Sequence, residues 1–307
     1  MLSESWGIIH MHVQRYLGSA WASVHGSSDP QKLLISLLES DFAGLAASPG
    51  PRPVAWPALR EAADELPVQF SAVRANNPLA ERSALSALCS SAHGEGELAH
   101  RAVLDAVHCA KSLGVNTVVL DLGVVSMVGE IEAEDVGEPN YDWSNERWQA
   151  LLARRQVTRH ASVDRACREL FSIIKSFPDY NFCVTQSRSL RAVLDLAALR
   201  DIVEDLGGRR CGYWHDAAIC ARREQILGEA QGEWLESFGN RLSGMTLGDA
   251  SHEGLYLAPG SGGVDYGLCA AYVPRSGNDF PVVLELDLSV GPGEMPGMRS
   301  CLDKHGL

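Results

Sequence analysis

Residues 211–228, CGYWHDAAICARREQILG, decide how this chain is read. CGYWHD has the make-up of a short strand, and it ends on the carboxylate of Asp216. AICARREQILG follows almost at once as a helix, so the two segments make one βα unit. A carboxylate at the end of an otherwise buried strand is costly unless something compensates its charge, so the same stretch also marks a place to look for chemistry.

The unit recurs on both sides. WGIIHMH (6–12) is read as the first strand, before DPQKLLISLLES (29–40), where Asp29 is placed to cap a helix and Pro30 takes its first position. FAGLAAS (42–48) precedes AWPALREAADEL (55–66), and VQFSAV (68–73) precedes the helix EGELAHRAVLDAVHCAKSLG (95–114), with Gly114 as its stop. VNTVVLDLG (115–123) is almost continuously apolar, as a strand buried on both faces is, and Glu146 to Phe177 supplies helix after it. NFCVTQ (181–186) leads into SLRAVLDLAALRDIVEDLG (189–207), read as one helix closed by Gly207. Downstream, GEWLESFG (232–239), RLSGMTLGD (241–249), VDYGLCAAYV (264–273), PVVLELD (281–287) and EMPGMRSCLDK (294–304) complete the pattern. Eight βα beats in 307 residues predict a single-domain (β/α)8 TIM barrel over residues 1–307. An open doubly wound sheet is the structural alternative, weakened because neither GxGxxG nor GxxxxGK[ST] stands at a strand-to-helix turn.

Composition narrows the partners. A net charge of −13 leaves no general attraction for phosphate backbones or anionic lipid, so neither nucleic acid nor membrane is expected as a partner. Cysteines 89, 109, 167, 183, 211, 220, 269 and 301 form no CxxC pair and are read as reduced, mostly buried thiols. MLSESWGIIHMHV has no basic n-region, and no segment approaches ~18 uninterrupted apolar residues. The expectation is a soluble, cytoplasmic protein that takes a small-molecule substrate or ligand, as a homo-oligomer or beside an active paralogue. The acidic, turn-rich loop 122–145 after the fourth strand is read either as a lid or partner surface or as a solvated excursion.

In such a barrel the working residues sit where the strands end. The strand ends offer His10 and His12, Arg74, Asp121, Gln186 and Arg188, His215 and Asp216, Thr246 and Asp249, and Glu285 and Asp287; alternation turns some of them outward. Asp216 and Glu285 are the most telling, because each needs a compensating charge: a divalent metal, Arg188, Arg74 or a protonated His. His10 and His12, two residues apart, share a strand face and are read as metal ligands, substrate contacts or packing. His93 and His100 are read as surface or packing residues. DASHEGLYLAPGSGGVDY (249–266) joins His252 to a glycine-rich turn that either offers backbone N–H groups to an anion or serves as an ordinary crossover loop.

CVTQSR, GYWHDAAICA, ILGEAQGEWLESFGNRLSGMTLGD, APGSGGVDY and VVLELD occur in an order that resembles the xylose-isomerase-like TIM barrels, which include sugar-phosphate isomerases and epimerases and the related apurinic endonucleases. HCAKSLGVNTVVLDLG (108–123) adds a weaker match. The resemblance implies a metal held by two Glu, an Asp and a strand-seven His, with the two Glu also acting as paired bases. At the corresponding positions this chain has Gln186, Asp216, Thr246 and Glu285, Ile219 stands where a further His is expected, and Asp249 keeps the end of the strand-seven motif. The metal site is therefore read as degenerate.

Gln186 cannot take a proton near neutral pH, so a two-base shuttle has lost one side. Thr246 is a poor substitute for imidazole, and the remaining groups would hold Mn²⁺, Mg²⁺ or Zn²⁺ weakly, through Asp216 and Glu285, or not at all. One reading keeps an enzyme, an isomerase, epimerase or lyase for a small polar, carbohydrate-like carbonyl compound. In it Glu285 is the base, Asp216 and His215 position or protonate, and Gln186, Arg188, Thr246, Asp249, His252, His12 and Arg74 contact the substrate. The alternative is a non-catalytic member of the fold that binds a small molecule or supports a partner. A third, a metal-dependent nuclease, is opposed by the charge and the lost ligands.

Overall fold

A computed structural model of the chain describes residues 13–75, 88–90, 94–127, 135–144, 146–206, 211–274 and 280–307. In chain order the elements are β1 (Arg15–Gly18), α1 (Ser19–His25), α2 (Pro30–Glu39), β2 (Gly44–Ala47), α3 (Trp56–Ala63), β3 (Gln69–Arg74), α4 (Glu95–Leu113) and β4 (Thr117–Leu120). They continue through α5 (Arg147–Ser176), β5 (Asn181–Thr185), α6 (Leu196–Leu206), β6 (Cys211–Asp216), α7 (Ala217–Leu227), α8 (Gln231–Phe238) and β7 (Leu242–Leu247). The last are β8 (Asp249–Ser251), β9 (Gly254–Leu257), α9 (Tyr266–Tyr272), β10 (Val282–Leu284) and α10 (Met295–His305).

Among the described residues, β1 to β7 and β10 pair in parallel and close a barrel, with β10 between β1 and β7. The (β/α)8 barrel expected from the eight beats is the observed fold. Several boundaries follow from local chemistry. Asp29 accepts the Lys32 N–H at 3.0 Å with Pro30 at the first position of α2, and Gly114 ends α4 in the left-handed conformation at φ 71°.

Strand alternation separates two apolar layers. Leu17, Leu45, Val118, Leu120, Val184, Tyr213, Leu247 and Leu284 are buried against the surrounding helices. The inward face is narrower: Tyr16, Ala46, Ala72, Val119, Cys183, Trp214 and Val283 form one cluster with a residue from seven of the eight strands. On β7 the place next to Trp214 falls to Gly244, where a Cβ would lie 2.7 and 2.8 Å from atoms of the indole ring. The Trp214 indole thus plugs the barrel beneath its mouth, together with Tyr16 and smaller neighbours.

Three expectations need correction. The first barrel strand is Arg15–Gly18, not Trp6–His12, which lies outside the described residues together with His10 and His12. An arginine conceals this strand in the sequence. Its charge is met by an ion pair with Asp303 and by Nε donating to the Leu307 carbonyl at 2.5 Å. Secondly, residues 189–195 are not helical. Arg155 Nε donates to the Ala192 carbonyl at 2.7 Å, and α6 starts only after Asp195, whose Oδ1 accepts the Ala198 N–H at 2.8 Å; Gly207 lies outside the described residues. Thirdly, the segment after β7 is an antiparallel hairpin, β8 with β9, where a loop was expected.

Candidate functional site

The alternation that sends Trp214 into the barrel also sends Asp216 inward, one step nearer the C-terminal end. Arg74 and Glu285 reach the same end from β3 and from just beyond β10, and with Ser48, Gln186 and Tyr256 they line a cavity of about 260 Å³. Asp216 is fully buried and saturated with contacts. Its Oδ1 accepts the Ile219 N–H at 3.2 Å, capping α7, while its Oδ2 accepts the Tyr256 hydroxyl at 2.9 Å and faces both terminal nitrogens of Arg74 at 3.5 Å. Burial pushes the Asp216 carboxyl up, and Arg74, the α7 N–H and Tyr256 oppose that shift. For Arg74, burial works against the charge, but the carboxylates of Asp216, Glu285 and Asp121 outweigh it and hold the guanidinium protonated.

Glu285 differs in balance. Burial pushes its carboxyl up to about 7, Arg74 and the Ser48 hydroxyl (3.2 Å to Oε1) pull the other way, and the charge of Asp216 adds to the rise. A carboxyl group that titrates near neutrality is suited to taking and returning a proton. Above it, Arg188 pairs with Asp135 through Nη2 to Oδ2 at 3.0 Å and Nε to Oδ1 at 3.1 Å, joining the loops that follow β4 and β5. The described end of the 122–145 loop is fastened to the mouth: Val136 is fully buried among Ile219, Leu190 and Leu255, and Arg222 Nε donates to its carbonyl at 3.0 Å. Residues 128–134 and 145 of that loop lie outside the described residues.

Several strand-end candidates do other work. His215, next to Asp216, points away from it by strand alternation and does not line the cavity. Gln186 Oε1 accepts the Asp216 N–H at 3.0 Å, which fixes its amide so that Nε2 donates to the Tyr213 oxygen; Tyr213 then donates to His215 Nδ1 at 2.7 Å. Burial lowers the His215 pKa to about 3, so it is a neutral member of a buried network. Thr246 Oγ1 accepts the Trp214 indole N–H at 2.9 Å and serves the plug. The Asp249 carboxylate accepts the backbone N–H groups of Ala250, Gly260 and Val264 at 2.8–3.0 Å, so the glycine-rich turn is organised around a resident carboxylate. His252 is exposed beside the hairpin turn and absent from the cavity lining. Arg74, Asp121, Gln186, Arg188, Asp216, Glu285 and Asp287 are the predicted residues that come together.

No family model matches the chain, and no curated protein matches it in sequence. Solved structures do. An L-ribulose 3-epimerase superposes with a TM-score of 0.64 at 14% identity, covering 94% of this chain and 86% of that one. A D-tagatose 3-epimerase-like protein gives 0.65 at 15%, covering 95% and 97%, and the family 2 AP endonuclease from Brucella melitensis gives 0.60 at 11%, covering 92% and 98%. The chain shares the barrel fold of these epimerases and of that endonuclease.

The metal that the resemblance implies does not fit these residues. Among the described residues no three His, Cys, Asp or Glu side chains converge as a metal site. Asp216 is engaged by a guanidinium, a phenol and a backbone N–H, the Gln186 carbonyl oxygen is taken by the Asp216 N–H, and Thr246 is taken by Trp214. Ile219, at the missing-imidazole position, packs under Val136. Where a weak divalent site was expected at Asp216 and Glu285, Asp216 pairs with Arg74 at 3.5 Å.

Sequence reasoning missed Tyr256, Ser48 and Gly18. Tyr256 has φ 61°, a conformation that non-glycine residues rarely adopt, and it is held there while its carbonyl accepts the Asp287 N–H at 2.7 Å. Gly18 makes room for Glu285: a Cβ there would stand 2.7 Å from its Cδ and 2.8 Å from Oε1. Gly18→Ala is accordingly expected to fold, with a melting temperature within a few degrees of wild type, and to turn Glu285 away from Ser48. A crystal structure of the variant with the Glu285–Ser48 contact intact would contradict this account of Gly18.

Proposed function

We propose that the barrel moves a proton between adjacent carbons of a small, carbohydrate-like hydroxycarbonyl compound, with Glu285 as its single base. The observation that carries this reading is a carboxyl group poised near neutrality next to a half-buried, permanently charged arginine in one small cavity. Glu285 takes the proton from the carbon beside the carbonyl, and the electron pair moves onto the carbonyl oxygen. The Arg74 guanidinium balances the charge of the enediolate so formed. The hydroxyl proton of the enediolate then passes to the former carbonyl oxygen, Glu285 returns its own proton to the former carbonyl carbon, and the neighbouring oxygen becomes the new carbonyl, completing an isomerisation. Asp216 orients Arg74 and Tyr256, while Arg188 offers hydrogen bonds to hydroxyl groups. The sugar epimerases that share the fold support the substrate class.

The buried state of Gln186 favours one-base chemistry over epimerisation through opposed bases, and it also supports the second reading, a ligand-binding member without catalysis. Proton NMR in D₂O over a panel of ketoses and aldoses separates the two. Wild type is expected to exchange the proton beside the carbonyl of at least one sugar, and Glu285→Gln to slow that exchange by about a hundredfold or more. Sugar binding without exchange would establish the second reading; unchanged exchange in the variant would remove Glu285 as the base.

A further inference from the structure

Arg74 lies where the inward carboxylates of three elements meet: Asp216 at the end of β6, Glu285 beyond β10 and Asp121 beyond β4. Both terminal guanidinium nitrogens face one oxygen of fully buried Asp216, and Arg74 shares its cavity with Glu285 and Asp121. Nothing else described in the cavity supplies a free positive charge at this depth, because Arg188 is paired with Asp135 nearer the surface. A buried carboxylate group of this kind needs a cation. We propose that the Arg74 guanidinium is the site's resident cation, occupying the position between Asp216 and Glu285 and thereby excluding a divalent metal from it.

The donor set agrees. A divalent ion bridging Asp216 and Glu285 would have to displace the Arg74 and Tyr256 contacts and then sit beside an uncompensated guanidinium. A guanidinium also differs from a metal in what it does for a ligand. It does not dissociate, it binds through directed N–H donors, and it leaves no open coordination position, so a substrate oxygen is held by hydrogen bonds to a fixed charge. The inference deepens the proposed function by naming what balances charge in the same cavity, but its test needs no substrate. A failed sugar screen would leave it standing.

Manganese provides the readout. Titrated with Mn²⁺, wild-type protein is expected to leave the electron paramagnetic resonance signal of the free ion undiminished and to show no change in melting temperature with Mn²⁺, Mg²⁺ or EDTA. Arg74→Ala, which keeps Asp216 and Glu285 but vacates the place between them, is expected to bind Mn²⁺ at least about tenfold more tightly than wild type. Adding Asp216→Asn to that variant should abolish the gain. One Mn²⁺ bound by wild type and lost in Asp216→Asn or Glu285→Gln overturns the proposal, as does a folded Arg74→Ala with no gained affinity. If Arg74→Ala does not fold, Arg74→Met is used in its place, and if neither folds the wild-type titration alone decides.

Discussion

Asp216→Ala is expected to destabilise the protein by about 3–5 kcal/mol, more than any other single change at the mouth. Three losses coincide. The half-buried Arg74 guanidinium is left without its nearest counter-charge, the Tyr256 hydroxyl loses its acceptor, and α7 loses the side chain that caps it. The cap alone accounts for about 1 kcal/mol. Most of the remainder is the penalty of a charge left behind, so the double variant Asp216→Ala/Arg74→Met should recover part of it. Urea denaturation of wild type, both single variants and the double variant measures this coupling. A cost below about 1 kcal/mol for Asp216→Ala, or additive single effects, would mean that Arg74 is balanced elsewhere.

This dependence explains which parts of the site were legible in the sequence. Asp216 and Glu285 stand out because a carboxylate that ends a buried strand must be compensated, whatever compensates it. Arg74 was visible as one of several compensators, since the chain order says that it ends β3 but not that β3 and β6 present their last residues at the same depth. That depth is set by the stagger of the strands. The fate of Thr246 turned on a neighbouring strand as well, because the Trp214 indole N–H reaches it across the β6–β7 pair. Strand alternation, by contrast, separates His215 from Asp216 on sequence alone: adjacent residues of one strand face opposite ways.

The residues that were missed share a different cause. Tyr256 belongs to a hairpin inside a segment whose glycines and proline suggest only a loop, and its hydroxyl returns 40 positions along the chain to Asp216. Arg15 hid the first strand, because a charged residue in a fully buried run looks misplaced until the Leu307 carbonyl and Asp303 are seen at the other end of the chain. Ile219, conspicuous where a further His is expected, has a plain packing role under Val136. Local pattern thus specified the barrel and its carboxylates, and long-range pairing specified what neutralises them.

The same pairing gives Glu285 a pH signature. Glu285→Gln is expected to match wild type in stability near pH 4.5 and to exceed it progressively above, by up to about 3 kcal/mol once the pH has passed 7. The sign follows from the raised folded-state value: wild type carries its full stability while Glu285 is protonated in both states and loses it as pH rises through about 7, where the folded protein must ionise a buried carboxyl. Glutamine stays neutral throughout and keeps an oxygen for the Ser48 hydroxyl. His215 acts in the opposite direction, since burial lowers it to about 3 and stability falls as acid protonates the unfolded chain first. Wild type alone would therefore show a flattened profile in which the two effects offset each other, whereas the difference between wild type and variant removes His215 and isolates Glu285. Urea melts of both proteins between about pH 4.5 and pH 8 supply that difference. A constant difference across the range would show that Glu285 ionises as it does in the unfolded chain. In that event the carboxylate would hold too little basicity to act as the proton acceptor at neutral pH, whereas the expected slope would be matched by an exchange rate that climbs through pH 7 as the same group becomes the working base.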